Sequence, residues 1–85
     1  MEIADWRNQI DAIDEQIVAL ISRRAEAAQA IGAIKRQGAR AIYEPDREQQ
    51  VIDHVCAINP GPIPDERMAF LFARLMEVMR GMQTT

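Results

Sequence analysis

An apolar heptad pattern runs from residue 3 to residue 34, with one exception at position 24, and leaves few folds open to this chain. Apolar side chains recur every three or four residues, which is the spacing of one face of a long helix that packs on another helix. Gly38 follows the pattern, and glycine is frequent just past the end of a helix. The pattern therefore predicts a first helix over about residues 4–37. Its apolar members are Ile3, Trp6, Ile10, Ile13, Ile17, Leu20, Ala27, Ile31 and Ile34.

Proline and acidic residues divide the remainder of the chain into two shorter helices. Pro45 suits the first turn of a second helix, which is predicted to end near residue 58. The segment that follows, NPGPIP, predicts a short loop because its three prolines lack backbone donors and have a fixed φ. Asp65 favours the start of a third helix that runs to about residue 82. With no strand pattern, the predicted fold is all-α, with three helices in a single domain over residues 1–85.

The predicted first helix is too long for one copy of the chain to cover. A helix of about 34 residues is roughly 50 Å long, whereas a compact domain of this size is roughly 25–30 Å across. Leaving Trp6, Ile10 and Ile13 in water would forfeit about 1.5–3 kcal/mol each. The pattern therefore predicts an intertwined antiparallel homodimer. In such a dimer Arg7 of one chain approaches a position near residue 33 of the other.

Arg24 occupies a position in the heptad series where an apolar residue is expected. An unpaired buried charge costs several kcal/mol, so Arg24 predicts a bound anion. Arg7 and Lys35 share a heptad position but lie about 42 Å apart along one straight helix, and they can meet only across the dimer. Two alternatives stay open: Arg7 and Lys35 are solvated surface cations, and Arg24 only fixes the helix register.

Charge and cysteine content exclude several classes of function. A formal charge of −3 and a pI near 5.0 argue against general attraction to nucleic acid or an anionic membrane. Cys56 is the single cysteine, so no internal disulfide and no Cys/His metal set is predicted. The N-terminus lacks the basic start and continuous apolar stretch of a signal peptide. We expect a cytoplasmic protein without a bound metal.

Three segments, taken in order, resemble the all-helical chorismate mutases. They are WRNQIDAIDEQIVALISRR, IGAIK and EPDRE, and the resemblance extends over about residues 4–83. It implies an isomerase that converts chorismate to prephenate in phenylalanine and tyrosine biosynthesis. This intramolecular Claisen rearrangement needs no nucleophile, metal or cofactor, but it does need a compact substrate conformation and stabilisation of negative charge on the ether oxygen.

The resemblance also implies roles for individual residues. Arg7 is expected to reach the substrate from the partner chain, and Arg24 to bind a carboxylate. Lys35 and Gln83 are expected to donate hydrogen bonds to the ether oxygen, with Lys35 also reaching a carboxylate. The catalytic residues implied by the resemblance are thus Arg24, Lys35 and Gln83.

The same resemblance implies further contacts around the substrate. Arg47 is expected beside the pocket, Glu48 is expected to accept the substrate hydroxyl, and Glu44 is expected to make a polar contact. Met79 stands where some members have a small hydroxyl residue, and its thioether cannot donate a hydrogen bond to a carboxylate. The expected substrate-binding residues are Arg7, Arg24, Lys35, Glu44, Arg47, Glu48, Met79 and Gln83.

The sequence leaves two other functions open and raises one concern about the site. A related helical family eliminates pyruvate from isochorismate and uses a comparable cationic pocket. Alternatively, the chain is a non-catalytic dimerisation or regulatory module of a larger enzyme of aromatic biosynthesis, and such an enzyme is also a possible partner. Gly81 lies just before Gln83 and predicts a frayed end to the third helix.

Overall fold

The computed structural model describes residues 1–38 and 40–84, and this part of the chain forms helices and no strands. The helices are α1 (Ile3–Gln37), α2 (Pro45–Ile58) and α3 (Asp65–Met82). The predicted all-α fold is confirmed. The first helix begins one residue earlier than predicted, and the other predicted ends match.

Local interactions explain where α1 begins and ends. The Asp5 carboxylate accepts a hydrogen bond from the Glu2 backbone N–H at 2.8 Å, which satisfies a donor that the first turn would otherwise leave exposed. At the other end, the Gly38 N–H donates to the Ile34 carbonyl at 3.1 Å. Pro45 then occupies the first turn of α2, where its missing N–H costs no helical hydrogen bond.

Helix α3 is the central packing element of the chain. It packs against both α1 and α2, whereas α1 and α2 make no close backbone approach to each other within residues 1–38 and 40–84. The buried apolar core is small and consists of Ala28, Val55, Met76 and Met79. This arrangement leaves a cleft between α1 and α2, and α3 forms its floor.

The N-terminal part of α1 extends well beyond the rest of the chain. The molecule measures 54 × 24 × 16 Å and has a radius of gyration of 15.7 Å, against about 12 Å for a compact domain of this length. The large apolar residues at the heptad positions of this segment, which we call the N-terminal stripe, are 46–68% exposed. The homodimer predicted to cover them stays a prediction. The stripe comprises Ile3, Trp6, Ile10, Ile13, Ile17 and Leu20.

None of the helices in the described ranges is long and apolar enough to cross a membrane.

Candidate active site

A cavity of about 370 Å³ occupies the cleft between α1 and α2. All three helices and the α1–α2 connection contribute to its wall. Apolar side chains, including Ile31, Val51 and Met76, form part of that wall. The polar groups converge on the same space, an arrangement typical of small-molecule sites. They belong to Arg24, Lys35, Glu44, Arg47, Glu48, Arg80 and Gln83.

Lys35 is the most buried charged residue of the site, with only 6% of its surface exposed. Its Nζ donates to the Ile42 carbonyl at 3.1 Å and to Gln83 Oε1 at 3.0 Å. Glu44 Oε2 lies 3.6 Å from the same nitrogen. These partners compensate for the burial of the ammonium group, which would otherwise be costly. They also hold Nζ at a defined point on the cavity wall.

The contact with Lys35 determines how the Gln83 amide is oriented. An ammonium group can only donate, so the oxygen of the amide must face it. The Nε2 end of Gln83 is therefore the end that can donate to a ligand. Lys35 and Gln83 together place two N–H donor groups at one wall of the cavity.

The end of α3 is held against α1 at Gln83, and the fraying predicted from Gly81 stays a prediction. Gln83 keeps helical backbone angles, with φ −70° and ψ −15°. Its carbonyl accepts a hydrogen bond from the Arg36 guanidinium. Gly32 permits this approach, because a Cβ atom there would lie 2.2 Å from the Gln83 carbonyl oxygen and 2.6 Å from its Cα. Contacts between the two helices, rather than helix propensity alone, position Gln83.

Two arginines of the cavity carry positive charges that no carboxylate among the described residues compensates. Arg24 is partly buried at the cavity wall, and Arg47 donates from Nη1 to the neutral Gln50 Oε1 at 3.4 Å. In the described structure neither arginine forms an ion pair. The carboxylates of Glu44 and Glu48 are instead paired with other cations. The cavity therefore carries two unmatched positive charges, which suits a ligand with two negative charges.

Arg80 is a cavity residue that the sequence did not single out. Its Nη1 contacts both oxygens of Glu48, at 2.6 and 2.5 Å, and its Cζ lies 4.8 Å from the centre of the Tyr43 ring. Hydrogen bonding to Glu48 is the main reason why the pKa of Arg80 is raised above its ordinary value. The available signal was its spacing, because Met76, Arg80 and Gln83 fall on one helical face.

Met79 is 3% exposed and contributes apolar surface to the cavity floor. As expected from its chemistry, it offers no hydrogen-bond donor to an anion.

Seven of the eight predicted substrate-binding residues line the cavity, and Arg7 is the exception. Arg7 lies on the exposed N-terminal part of α1, far from Lys35 along the same helix. Within one chain it cannot reach the cavity. Its predicted contribution from a partner chain stays a prediction, as do the roles assigned to the residues that do line the cavity.

Comparisons with known proteins indicate the family to which this chain is related. Residues 6–84 match the family description chorismate mutase type II. The bifunctional chorismate mutase/prephenate dehydratase of Neisseria gonorrhoeae is 46% identical over 70 residues, which are 82% of this chain and 19% of that protein. The chain thus spans about one fifth of the length of such bifunctional relatives.

Solved structures agree in fold. A chorismate mutase (form II) from Thermus thermophilus superposes with a TM-score of 0.94 and 29% identity, covering 96% of this chain and 93% of that one. The chorismate mutase from Helicobacter pylori, solved in complex with prephenate, gives a TM-score of 0.88 and 26% identity over 96% of this chain and 89% of that one. Sequence and fold lead to the same assignment: this chain belongs to the chorismate mutase type II family.

Proposed function

We propose that this chain catalyses the rearrangement of chorismate to prephenate. The observation that carries the proposal is the partly buried pair at the cavity wall, where Lys35 Nζ lies 3.0 Å from Gln83 Oε1. The two unmatched arginines line the same cavity. Membership of the chorismate mutase type II family supports this reaction over other uses of a cationic pocket.

The charge of the site fits the two carboxylates of chorismate. Arg24 and Arg47 lack carboxylate partners among the described residues, so both can form charge-assisted hydrogen bonds to the substrate. Fixing both carboxylates favours the compact conformation in which the ends of the new C–C bond approach each other. Such positioning lowers the entropic cost of reaching the reactive geometry.

Lys35 and Gln83 would act on the bond that breaks. Negative charge develops on the ether oxygen as its C–O bond lengthens, and both side chains place N–H donors at one wall of the cavity. Because Lys35 is already held by Ile42, Glu44 and Gln83, little reorganisation is needed in the transition state. Donors that are fixed in this way are worth about 10²–10³-fold each in rate.

The proposed active form is an antiparallel homodimer in which Arg7 enters the partner's cavity. The N-terminal stripe supports this form, because a second copy of α1 would remove its large apolar side chains from water. The pairing would also bring a third unmatched cation toward a dianionic substrate. The dimer thus accounts for both the exposed stripe and the distance of Arg7 from its own cavity.

The proposal also includes a partner enzyme and a cellular location. Relatives in which a mutase is joined to a prephenate dehydratase suggest a partner enzyme that acts on the product. We place the protein in the cytoplasm, where the free thiol of Cys56 would stay reduced.

The decisive experiment measures chorismate loss and prephenate formation with the purified protein and with two arginine variants. Arg24→Ala removes a cavity cation, and we expect kcat/KM to fall by about 10²–10³-fold because a charge-assisted contact is lost. Arg23→Ala is the matched control, since Arg23 is the neighbouring exposed arginine and does not line the cavity. It should leave kcat/KM within about twofold. Light scattering checks that each variant keeps the parent's oligomeric state.

Three outcomes would contradict the proposal or its assignment of Arg24. Pyruvate release from isochorismate that is faster than chorismate conversion in the same assay would assign the lyase reaction instead. A parent that dimerises but converts neither substrate, even with enzymes of the neighbouring steps added, would favour a dimerisation module. Equal losses in the Arg23 and Arg24 variants would show that Arg24 has no special role in the cavity.

A further inference from the structure

Gln83 uses all of its hydrogen-bonding groups but one within the described part of the chain. Its backbone N–H donates to the Met79 and Arg80 carbonyls at 3.2 and 3.1 Å, and its Oε1 accepts from Lys35. Its backbone carbonyl accepts from the Arg36 guanidinium. The Nε2 group makes no hydrogen bond to a described residue, so it is the group of Gln83 that is left to face a ligand in the cavity.

Arg36 satisfies a carbonyl that α3 cannot satisfy by itself. Gln83 is the C-cap of α3, and the carbonyls at the end of a helix have no N–H partner within it. A guanidinium at this point forms a charge-assisted hydrogen bond and meets the negative end of the helix dipole. Lys35 and Arg36 are consecutive on α1, so two neighbouring residues bind the side chain and the main chain of the same glutamine.

Gly81 explains why the last turn of α3 needs a contact to its main chain. Glycine allows the backbone more conformational freedom than other residues, and Gly81 lies two positions before Gln83. A Cβ atom at Gly81 would meet nothing within 4 Å among the described atoms, so no neighbour packs against the turn there. The Lys35 contact fixes only the end of the Gln83 side chain, whereas the Arg36 contact fixes the main chain from which that side chain projects.

We infer that Arg36 is a positioning residue for the rearrangement, and that its contact with the Gln83 carbonyl sets the point from which Gln83 Nε2 donates to the breaking C–O bond. Arg36 is exposed and does not line the cavity, so it acts through Gln83 and not on the substrate. A displacement of about 1 Å in a reactive geometry can cost about 10²-fold in rate. The inference rests on the proposed function, since it concerns a donor of that same site.

Exposure separates this role from a role in folding. An exposed polar contact contributes little to the free energy of unfolding, because water replaces the lost partner. Replacing Arg36 should therefore leave the helices folded while Gln83 shifts. The change should lower kcat more than it alters KM, because the hydrogen bond from Nε2 strengthens only as the C–O bond breaks.

The test measures kcat and KM for chorismate in two Arg36 variants whose helix content is checked by circular dichroism. Arg36→Met keeps the length of the side chain but has no donor, and kcat should fall by about 10-fold or more while KM changes by less than about threefold. Arg36 makes the contact through Nη1 alone, so a single cationic donor can replace it. Arg36→Lys should therefore keep kcat within about threefold of the parent.

Arg40→Met is the matched control for the lost charge. Arg40 is the next arginine along the chain, and its exposed side chain does not line the cavity. This substitution removes the same positive charge close to the same end of α1, but it leaves the contact between Arg36 and Gln83 in place. Both kcat and KM should stay within about twofold of the parent.

A Gln83→Ala background shows whether Arg36 acts through the Gln83 side chain. This substitution removes the Nε2 donor but keeps the carbonyl that Arg36 contacts. If Arg36 positions that donor, Arg36→Met should lower kcat by less than about twofold in the Gln83→Ala background. A merely structural contact would cause the same loss in both backgrounds.

Hydrogen exchange at the amides of the last turn of α3, followed by mass spectrometry, supplies a readout that needs no substrate. Arg36→Met should accelerate this exchange by about 3- to 10-fold, whereas Arg40→Met should not. Equal exchange in the parent and Arg36→Met would show that the contact does not restrain the turn, and the inference would fail.

The kinetic outcomes distinguish this inference from the function on which it rests. An unchanged kcat in folded Arg36→Met, an equal loss in both glutamine backgrounds, or an equal loss in Arg40→Met would each overturn the inference while leaving the mutase activity in place. A parent that does not convert chorismate would remove the proposed function and this inference with it.

Discussion

The two halves of α1 carry one continuous heptad pattern but meet different surroundings. At its heptad positions the N-terminal half holds six large apolar residues that are 46–68% exposed. In the C-terminal half, Ala28, Gly32 and Lys35 are buried, and α3 packs against the helix. Two of these buried residues, Ala28 and Gly32, are small and lie where α3 comes close, whereas the large residues of the stripe lie where no described part of the chain buries them. Periodicity therefore identifies a buried face, while residue size indicates how closely the covering element approaches.

Ile13→Glu in the N-terminal stripe has the largest expected effect, and it tests whether a second copy of the chain covers the large residues of this half. If a second copy covers the stripe, each dimer loses two buried isoleucines, or about 3–6 kcal/mol. The dissociation constant of the dimer should then rise by about 10²–10⁴-fold. Activity should fall with it, because Arg7 would no longer reach the partner's cavity. Sedimentation equilibrium over a concentration series measures the effect.

Ala19→Glu is the control for that change. Ala19 lies on the opposite side of α1 from the stripe, so the same charge is added without entering the proposed interface. We expect less than about threefold change in the dissociation constant. If both variants stay dimeric with equal affinity, the stripe is not the dimer interface.

Gly32→Ala tests the C-terminal half of the helix. The added Cβ would lie 2.2 Å from the Gln83 carbonyl oxygen, so the end of α3 must shift. We expect the free energy of unfolding to fall by about 1–3 kcal/mol. We also expect kcat to fall by about 10- to 100-fold, since Gln83 moves away from its donor position. Chemical denaturation and steady-state kinetics measure the two effects.

Gly81→Ala is the control for Gly32→Ala, and we expect it to change the free energy of unfolding in the opposite direction. A Cβ at Gly81 meets nothing within 4 Å among the described atoms. Replacing a glycine inside a helix should raise the free energy of unfolding by about 0.5–1 kcal/mol. If Gly32→Ala is as stable and as active as Gly81→Ala, the close contact with Gln83 does not govern the site.

The smallest predicted effect concerns the first turn of the overhanging segment. Asp5→Ala removes the acceptor for the Glu2 N–H and should destabilise this turn by about 0.5–1 kcal/mol. The first-turn amides should exchange hydrogen about two- to fivefold faster, as measured by mass spectrometry. Asp11→Ala, which removes an exposed acid from the third turn of α1, should leave those amides unchanged. Equal acceleration in both variants would contradict a local capping role.

Most of the fold could be predicted because its boundaries depend on local chemistry. Gly38, Pro45 and the proline-rich loop interrupt the helical pattern, and the helix bounds follow from them. At the end of α3, by contrast, the position of Gln83 depends on non-local contacts. Gly81 indicated fraying, but contacts from Gly32 and Arg36 on α1 hold Gln83 in place.

The sequence could predict which residues line the candidate site, but not which of their side chains pair with each other. The resemblance identified seven residues that line one cavity. It did not identify Arg80, whose partner Glu48 lies on another helix, 32 residues away in sequence. Such pairs depend on how helices face each other after folding, and heptad spacing within one helix carries no information about that arrangement.

Gly32 shows how a site can limit the improvement of its own scaffold. A glycine in mid-helix costs about 0.5–1 kcal/mol relative to alanine, yet here the absent side chain makes room for the backbone of Gln83. At Gly32 the clash with Gln83 would outweigh the gain in helix propensity, so selection for heat resistance and selection for turnover would both reject alanine there. A more thermostable protein evolved from this sequence would therefore carry its stabilising substitutions at other positions.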